Sequence, residues 1–159
     1  MWSDNLLVEA RRTRDEVSGA LSSLGVDGEL VLTGGASVPG ALTKGDIDLH
    51  LRVDPDAFGD TVLTLRGAYP VASAHSWAPT LAVFAIPAPR PTGLAVTPIG
   101  SEHDRRFCIT WQALRRDPVL LDQYNALKSE TVDTVDYEHR KSAFFTALTR
   151  DGVHRPRGD

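Results

Sequence analysis

The sequence predicts an α+β fold: a mixed sheet of about five strands, flanking helices and a helical C-terminal layer. Three observations predict it. Residues 46–53 alternate strictly between polar and apolar side chains, the period of a strand. Further β-type runs at about 70–76, 80–87 and 93–99 are bounded by Pro79, Pro87, Pro89 and Pro91, and their short links imply antiparallel neighbours. Helical periodicity fills the start of the chain and its last third.

The elements follow in order. Over 4–24, Leu6, Leu7, Ala10, Val17, Leu21 and Leu24 recur at helical spacing, and Gly25 and Gly28 end the pattern. Glu29 to Thr33 is a short β-type run, and 34–45 is rich in turn formers. After the strand at 46–53, Asp54 and Pro55 open a helix over roughly 56–67, because proline is tolerated in a first turn. Ser101 and Asp104 form a capping pair before a helix reaching about Arg116. Asp117 and Pro118 start the next helix, with Leu120, Tyr124 and Leu127 on one stripe. A last helix covers about 136–149, with Tyr137, Lys141, Phe144 and Leu148 along one side. Residues 1–150 are expected to form one domain, and 151–159, with little to bury, a flexible tail.

Composition narrows the function classes. The chain has 159 residues, 42% of them hydrophobic, enough for a core without disulfide staples. The lone cysteine, Cys108, excludes an internal disulfide framework, and no Cys/His spacing for structural zinc occurs. The longest apolar run, 81–88, is too short for a bilayer, and no signal-like start is seen, so no membrane role and a cytoplasmic location are expected. A net charge of −4 argues against nucleic acid as a partner, while leaving room for a small basic pocket.

The segment LTGGASVPGALTKGDIDLHLRV, residues 32–53, concentrates the chemistry. Alternation puts Asp46, Asp48, His50 and Arg52 on one face of the strand and Ile47, Leu49, Leu51 and Val53 on the other. The two carboxylates then stand about 7 Å apart at their Cα atoms and repel each other. A divalent cation such as Mg²⁺, which takes oxygen ligands and keeps waters and substrate phosphates, removes that penalty. Gly34 and Gly35 let backbone approach a ligand closely and offer N–H groups to phosphate, Ser37 adds a hydroxyl, and Lys44 adds a positive charge. Phosphate donors beside metal ligands are what phosphoryl or nucleotidyl transfer requires. The competing reading is a solvated strand face beside an ordinary tight turn. His50 is either a partner of the aspartates or simply exposed, and Cys108 is a small buried hydrophobe rather than a nucleophile. Other motifs fail: Pro39 breaks a Gly-x-Ser-x-Gly elbow, and Ala41 and Leu42 follow Gly40 where a phosphate-binding loop needs Lys and Ser/Thr.

A strand-ending Gly-Gly followed about ten residues later by Asp-x-Asp resembles the nucleotidyltransferase superfamily signature. More narrowly, GGASVPGALTKGDIDL is similar to the GrpB family, as is RRDPVLLDQYNALKSE followed by Tyr137, Lys141 and Phe144. The resemblance implies the nucleotidyltransferase fold, a nucleoside triphosphate as ligand and Mg²⁺ as cofactor. It implies that Gly34, Gly35 and Ser37 hold the triphosphate side, that Asp46 and Asp48 are catalytic metal ligands, and that Lys44, Lys128 and Lys141 neutralise phosphate charge. The expected activity is metal-dependent transfer of a nucleoside monophosphate to an acceptor that the sequence does not name. For Lys128 and Lys141 the favoured reading is the wet flank of an amphipathic helix, where lysines commonly snorkel.

Departures from the pattern favour a second expectation, a catalytically degenerate nucleotide-binding or protein-interaction module. Gly35 stands in place of the commoner Ser. Residues 110–114 read Thr-Trp-Gln-Ala-Leu where relatives carry Phe-Arg-Asp-Tyr-Leu, and Thr97 stands where relatives often carry His. Active superfamily members use a third carboxylate on a later strand, and 93–99 contains none; Glu102 and Asp104, just beyond it, are the available substitutes.

Overall fold

The strand that carries Asp48, β2 (Ile47–Val53), lies inside a four-stranded sheet, in the order β1 (Glu29–Thr33), β2, β4 (Thr92–Pro98), β3 (Ala82–Ile86). The computed structural model describes residues 1–130 and 134–154. β1 (Glu29–Thr33) runs antiparallel to β2, with Thr33 opposite Asp48. β4 (Thr92–Pro98) runs parallel to β2 on its other side, with Gly93 beside Asp48, and β3 (Ala82–Ile86) pairs antiparallel with β4 at the edge. The mixed sheet thus has four strands rather than about five. The run at 70–76 fails as a strand for a local reason. Proline at 70 has no N–H to give. Val71 makes a single bridge to Phe84, and Ser73 then turns left-handed (φ 46°) into a 3-10 turn over Ala74–Ser76.

The chain divides into two compact units, Met1–Arg105 and Arg106–Asp159. In the first, α1 (Leu7–Ser23) buries Ala10, Thr13, Val17 and Leu21 at helical spacing. Its end is a Schellman turn. Gly25 at φ 74° donates to the Ser22 carbonyl and Val26 to the Leu21 carbonyl, both at 3.0 Å, while Leu21 and Val26 are buried together in the core. Ile47, Leu49, Leu51 and Val53 form the centre of that core with Phe84, Leu94 and Val96. α2 (Phe58–Ala68) adds Leu65 and is preceded by a 3-10 turn over Pro55–Ala57, where the Asp54 carboxylate accepts the Asp56 N–H at 2.8 Å.

α3 (Glu102–Arg116) begins in the first unit, where Ser101 Oγ accepts the Asp104 N–H at 3.2 Å, the expected cap. The second unit continues it with α4 (Pro118–Glu130) and α5 (Thr134–His154). Aromatic rings hold these helices: Trp111 meets Tyr124 and Phe145 edge-on at 5.9 and 5.3 Å, and Tyr124 stacks on Phe145 at 6.2 Å. α5 extends past the expected end at 149 into the segment expected to be a tail; residues 155–159 lie outside the described residues. Among the described residues, no helix is long and apolar enough to cross a membrane.

Candidate functional site

The glycine bend and the second aspartate are in direct contact. Gly34 follows β1 with φ 70° and ψ −174°, a conformation that side chains rarely adopt. A Cβ at this position would collide with the Asp48 carboxylate, meeting Oδ2 first and Cβ and Cγ at 3.0 Å. On the opposite side, a Cβ at Gly93 would stand 3.6 Å from Asp48 Oδ1. The Asp48 carboxylate therefore sits between glycines of both flanking strands, exposed at its outer edge. Asp46, just before β2, is exposed as well.

The bend itself is buried. Gly35–Ser37 form a 3-10 turn, and Ser37 donates its hydroxyl to the Gly34 carbonyl at 2.7 Å, so it braces the bend from within. The loop from Val38 to Thr43 is held from the N-terminal segment. Ser3 donates Oγ to the Val38 carbonyl at 2.5 Å and its N–H to the Ala41 carbonyl at 2.8 Å, and accepts the Ala41 N–H at 3.2 Å. The Asp4 carboxylate accepts the Gly40 N–H at 3.1 Å. Lys44 is exposed between this loop and Asp46.

A second polar cluster lies further along β2. His50, on the same strand face as Asp48, is 1% exposed. Its Nε2 is 2.7 Å from Thr97 Oγ1 on β4, so the threonine noted in the sequence meets a histidine on the neighbouring strand. Thr97 Oγ1 reaches Asp104 Oδ1 at 3.5 Å, and Arg52 grips Asp104 with both prongs: Nε to Oδ1 at 2.6 Å and Nη2 to Oδ2 at 2.9 Å. Arg52 Nη1 also reaches the exposed Glu29 at 2.9 Å. Burial drives the His50 pKa down to about 4; the Asp104 charge opposes this and the Arg52 charge adds to it, so the ring is neutral near pH 7. Burial pushes the Asp104 carboxyl up, but the Arg52 hydrogen bond, the Gly100 N–H and the neighbouring charges outweigh it and hold it below its ordinary value.

The sequence-derived candidates thus separate into groups. Gly34 meets the Asp48 carboxylate, Gly35 lies in the buried turn that follows Gly34, and Lys44 and Asp46 are exposed just before β2. Asp104 is joined to Arg52, four residues beyond Asp48 on β2, and Glu102 is exposed in the first turn of α3. Among the described residues, no third His, Cys, Asp or Glu gathers with Asp46 and Asp48 within metal-binding reach. Lys128 and Lys141 lie in the second unit. Lys128 Nζ is 4.9 Å from the Tyr124 ring centre, and Lys141 Nζ is 5.7 Å from that of Tyr137 and 5.9 Å from that of Phe145. One cation that sequence reading passed over is Arg90, whose Nη1 would stand 3.1 Å from a Cβ on Gly45. The Pro-Arg-Pro run around it was its signal.

A family model described as GrpB protein matches residues 2–151. The chain belongs to the GrpB family. Comparison with curated proteins finds no match. Among solved structures, the chain is similar to the conserved protein GrpB from Enterococcus faecalis, with a TM-score of 0.67 and 17% identity over 89% of this chain and 91% of that one. It is also similar to the Cid1 poly(U) polymerase in its MgGTP-bound form, with a TM-score of 0.56 and 17% identity over 79% of this chain. The GLD-2/RNP-8 complex structure matches with a TM-score of 0.51 and 17% identity over 92% of this chain. The chain spans 42% and 57% of the lengths of those last two. This GrpB-family chain therefore has the α/β fold of the nucleotidyltransferases. Its Asp-x-Asp strand has Gly93, not an acid, beside Asp48 on the parallel neighbour.

Proposed function

We propose that the chain binds a nucleoside triphosphate through a divalent cation held by Asp46 and Asp48, and transfers its nucleoside monophosphate to an acceptor. The observation that carries this reading is the contact of Gly34 with the Asp48 carboxylate, which sets a glycine bend against an exposed acid pair. The donor set suits Mg²⁺: two carboxylate oxygens, with room for waters and phosphate oxygens to complete the shell. Such an ion would neutralise the triphosphate and stabilise the departing pyrophosphate. The chain's own contribution is positional. Gly34 and Gly93 place no Cβ against the Asp48 carboxylate, Ser37 and Ser3 hold the bend and the following loop, and exposed Lys44 supplies a positive charge two residues before Asp46. The MgGTP-bound state of Cid1, on the same fold, supports the choice of ligand.

A second reading, binding without transfer, is favoured by a specific observation. Asp104, one of two acids available as a third ligand, has both oxygens on Arg52. Two acids can seat one ion; seating a second is harder. Calorimetric titration with MgATP, MgGTP and MgUTP, combined with a pyrophosphate-release assay over candidate acceptors, tests both. Binding that is lost in Asp46→Ala and Asp48→Ala supports the site, and pyrophosphate release supports transfer. Failure of every nucleotide to bind would sink the reading.

A further inference from the structure

The two edges of the sheet are finished differently. Along β3 the outer edge is covered. The Ala72 N–H donates to the Val83 carbonyl at 3.0 Å, the Ala85 N–H donates to the Pro70 carbonyl at 2.9 Å, and Val71 bridges Phe84 between them. Along β1 no such cover exists. Among the described residues, the backbone groups of 29–33 have no hydrogen-bond partner outside the ladder with β2. A strand paired on one side only turns the N–H and C=O of every second residue outward, a ready template for another strand.

Edges of this kind are usually blunted by proline, lysine or a bulge. The sequence Glu-Leu-Val-Leu-Thr has none of these. Its five residues pair with β2 in unbroken register, and its one charge, Glu29, is held by Arg52 at 2.9 Å. Leu30, Val31 and Leu32 are only half-buried beside the open edge.

The segment also matches itself when reversed. Turned antiparallel about Val31, it sets Leu30 against Leu32 of a second copy, Val31 against Val31, and Glu29 against Thr33. Apolar side chains then meet apolar ones, and no like charges stand opposite each other. Residues opposite in such a ladder share a face, so Leu30 and Leu32, which pack on the core, continue that core face across the join.

We propose that β1 pairs with β1 of a second copy of this chain, antiparallel about Val31, joining two four-stranded sheets into one. Five residues a side fall short of the roughly 20–30 of a stable interface, so the dimer is weak, with an expected Kd of about 0.1 mM.

Sedimentation equilibrium of the full chain, carried to about tenfold above that Kd, should show monomer passing to dimer. A monomer throughout overturns the proposal. Because position 31 faces itself, Val31→Lys and Val31→Glu should each abolish self-association, and an equal mixture of the two should restore it as a mixed dimer. Val31→Thr, an uncharged residue that suits strands, should dimerise within a few-fold of wild type. Self-association that persists in both charged variants, or fails to return in their mixture, places the contact elsewhere and overturns the pairing. Thermal melting checks that each variant folds. Where one does not, hydrogen exchange on the wild type decides: amides within 29–33 that slow as concentration rises support the pairing, and unchanged ones overturn it.

Discussion

The Asp48 carboxylate occupies the space where a side chain at Gly34 would begin. Gly34→Ala would therefore face two penalties, a left-handed backbone angle and a collision with a carboxylate on a central strand. The backbone alone costs roughly 1–2 kcal/mol. Urea denaturation should show a loss of about 2 kcal/mol or more for Gly34→Ala. Gly93→Ala places its methyl at ordinary contact distance and should cost under about 1 kcal/mol. Equal losses would show that Asp48 simply swings aside.

Stability and binding should move in opposite directions at the acid pair. Asp46→Asn and Asp48→Asn each remove one of two neighbouring negative charges. Melting without ligand should hold steady or rise slightly, while Mg²⁺-dependent nucleotide affinity falls by an order of magnitude or more. A fall in melting temperature equal to the fall in affinity would argue for a structural role instead.

His50 predicts a pH window. The folded chain leaves this imidazole neutral down to about pH 4, whereas the unfolded chain protonates it near 6.5. Above 6.5 neither state binds the proton and the stability is complete. Between 6.5 and 4 the unfolded state binds it preferentially, so stability falls, by at most about 3 kcal/mol, and then levels off. The lowered Asp104 carboxyl has the same sign, its contribution being lost only in stronger acid as that group protonates. Urea unfolding at pH 7.5, 6 and 5 should show the decline, and His50→Gln should flatten it. An unchanged slope in His50→Gln would place the sensitivity elsewhere.

Arg52 bridges a buried acid and an exposed one. Asp104 is 2% exposed and Glu29 is 58% exposed at their side chains. Asp104→Ala takes from Arg52 its buried acceptor and from the Gly100 N–H its carboxylate partner, so its cost should approach the roughly 3–5 kcal/mol of a broken buried pair. Glu29→Ala should cost under about 1 kcal/mol. A double-mutant cycle between Arg52 and each acid measures the difference, and comparable coupling at both acids would contradict the burial argument.

Local chemistry accounts for what the sequence revealed. Asp54 with Pro55, Ser101 with Asp104, and Gly25 after Leu24 mark element ends through contacts only a few residues long, and those ends fall close to where they were expected. The Asp-x-Asp strand was legible because its alternation is local, though Asp46 falls just outside the paired residues. The run at 70–76 misled because its composition suits a strand while Ser73 bends it away. The sequence leaves His50 either exposed or partnered, because its partner Thr97 is 47 residues away. Arg90 escaped notice for the same reason, since Glu9 is 81 residues distant and Gly45 lies on another element. Contacts of this range leave no periodic trace.

Because β2 has a hydrogen-bonded strand on either side, the acid at position 48 is anchored in the slowest-breathing part of the sheet. The crossing from Val38 to Thr43, by contrast, is stitched down from the N-terminal segment by Met1, Ser3 and Asp4. In deuterium-labelling experiments a guest should leave the strand's already protected amides almost untouched. Its arrival should instead register as slower labelling along that crossing, so the loop, not the acids, would report occupancy.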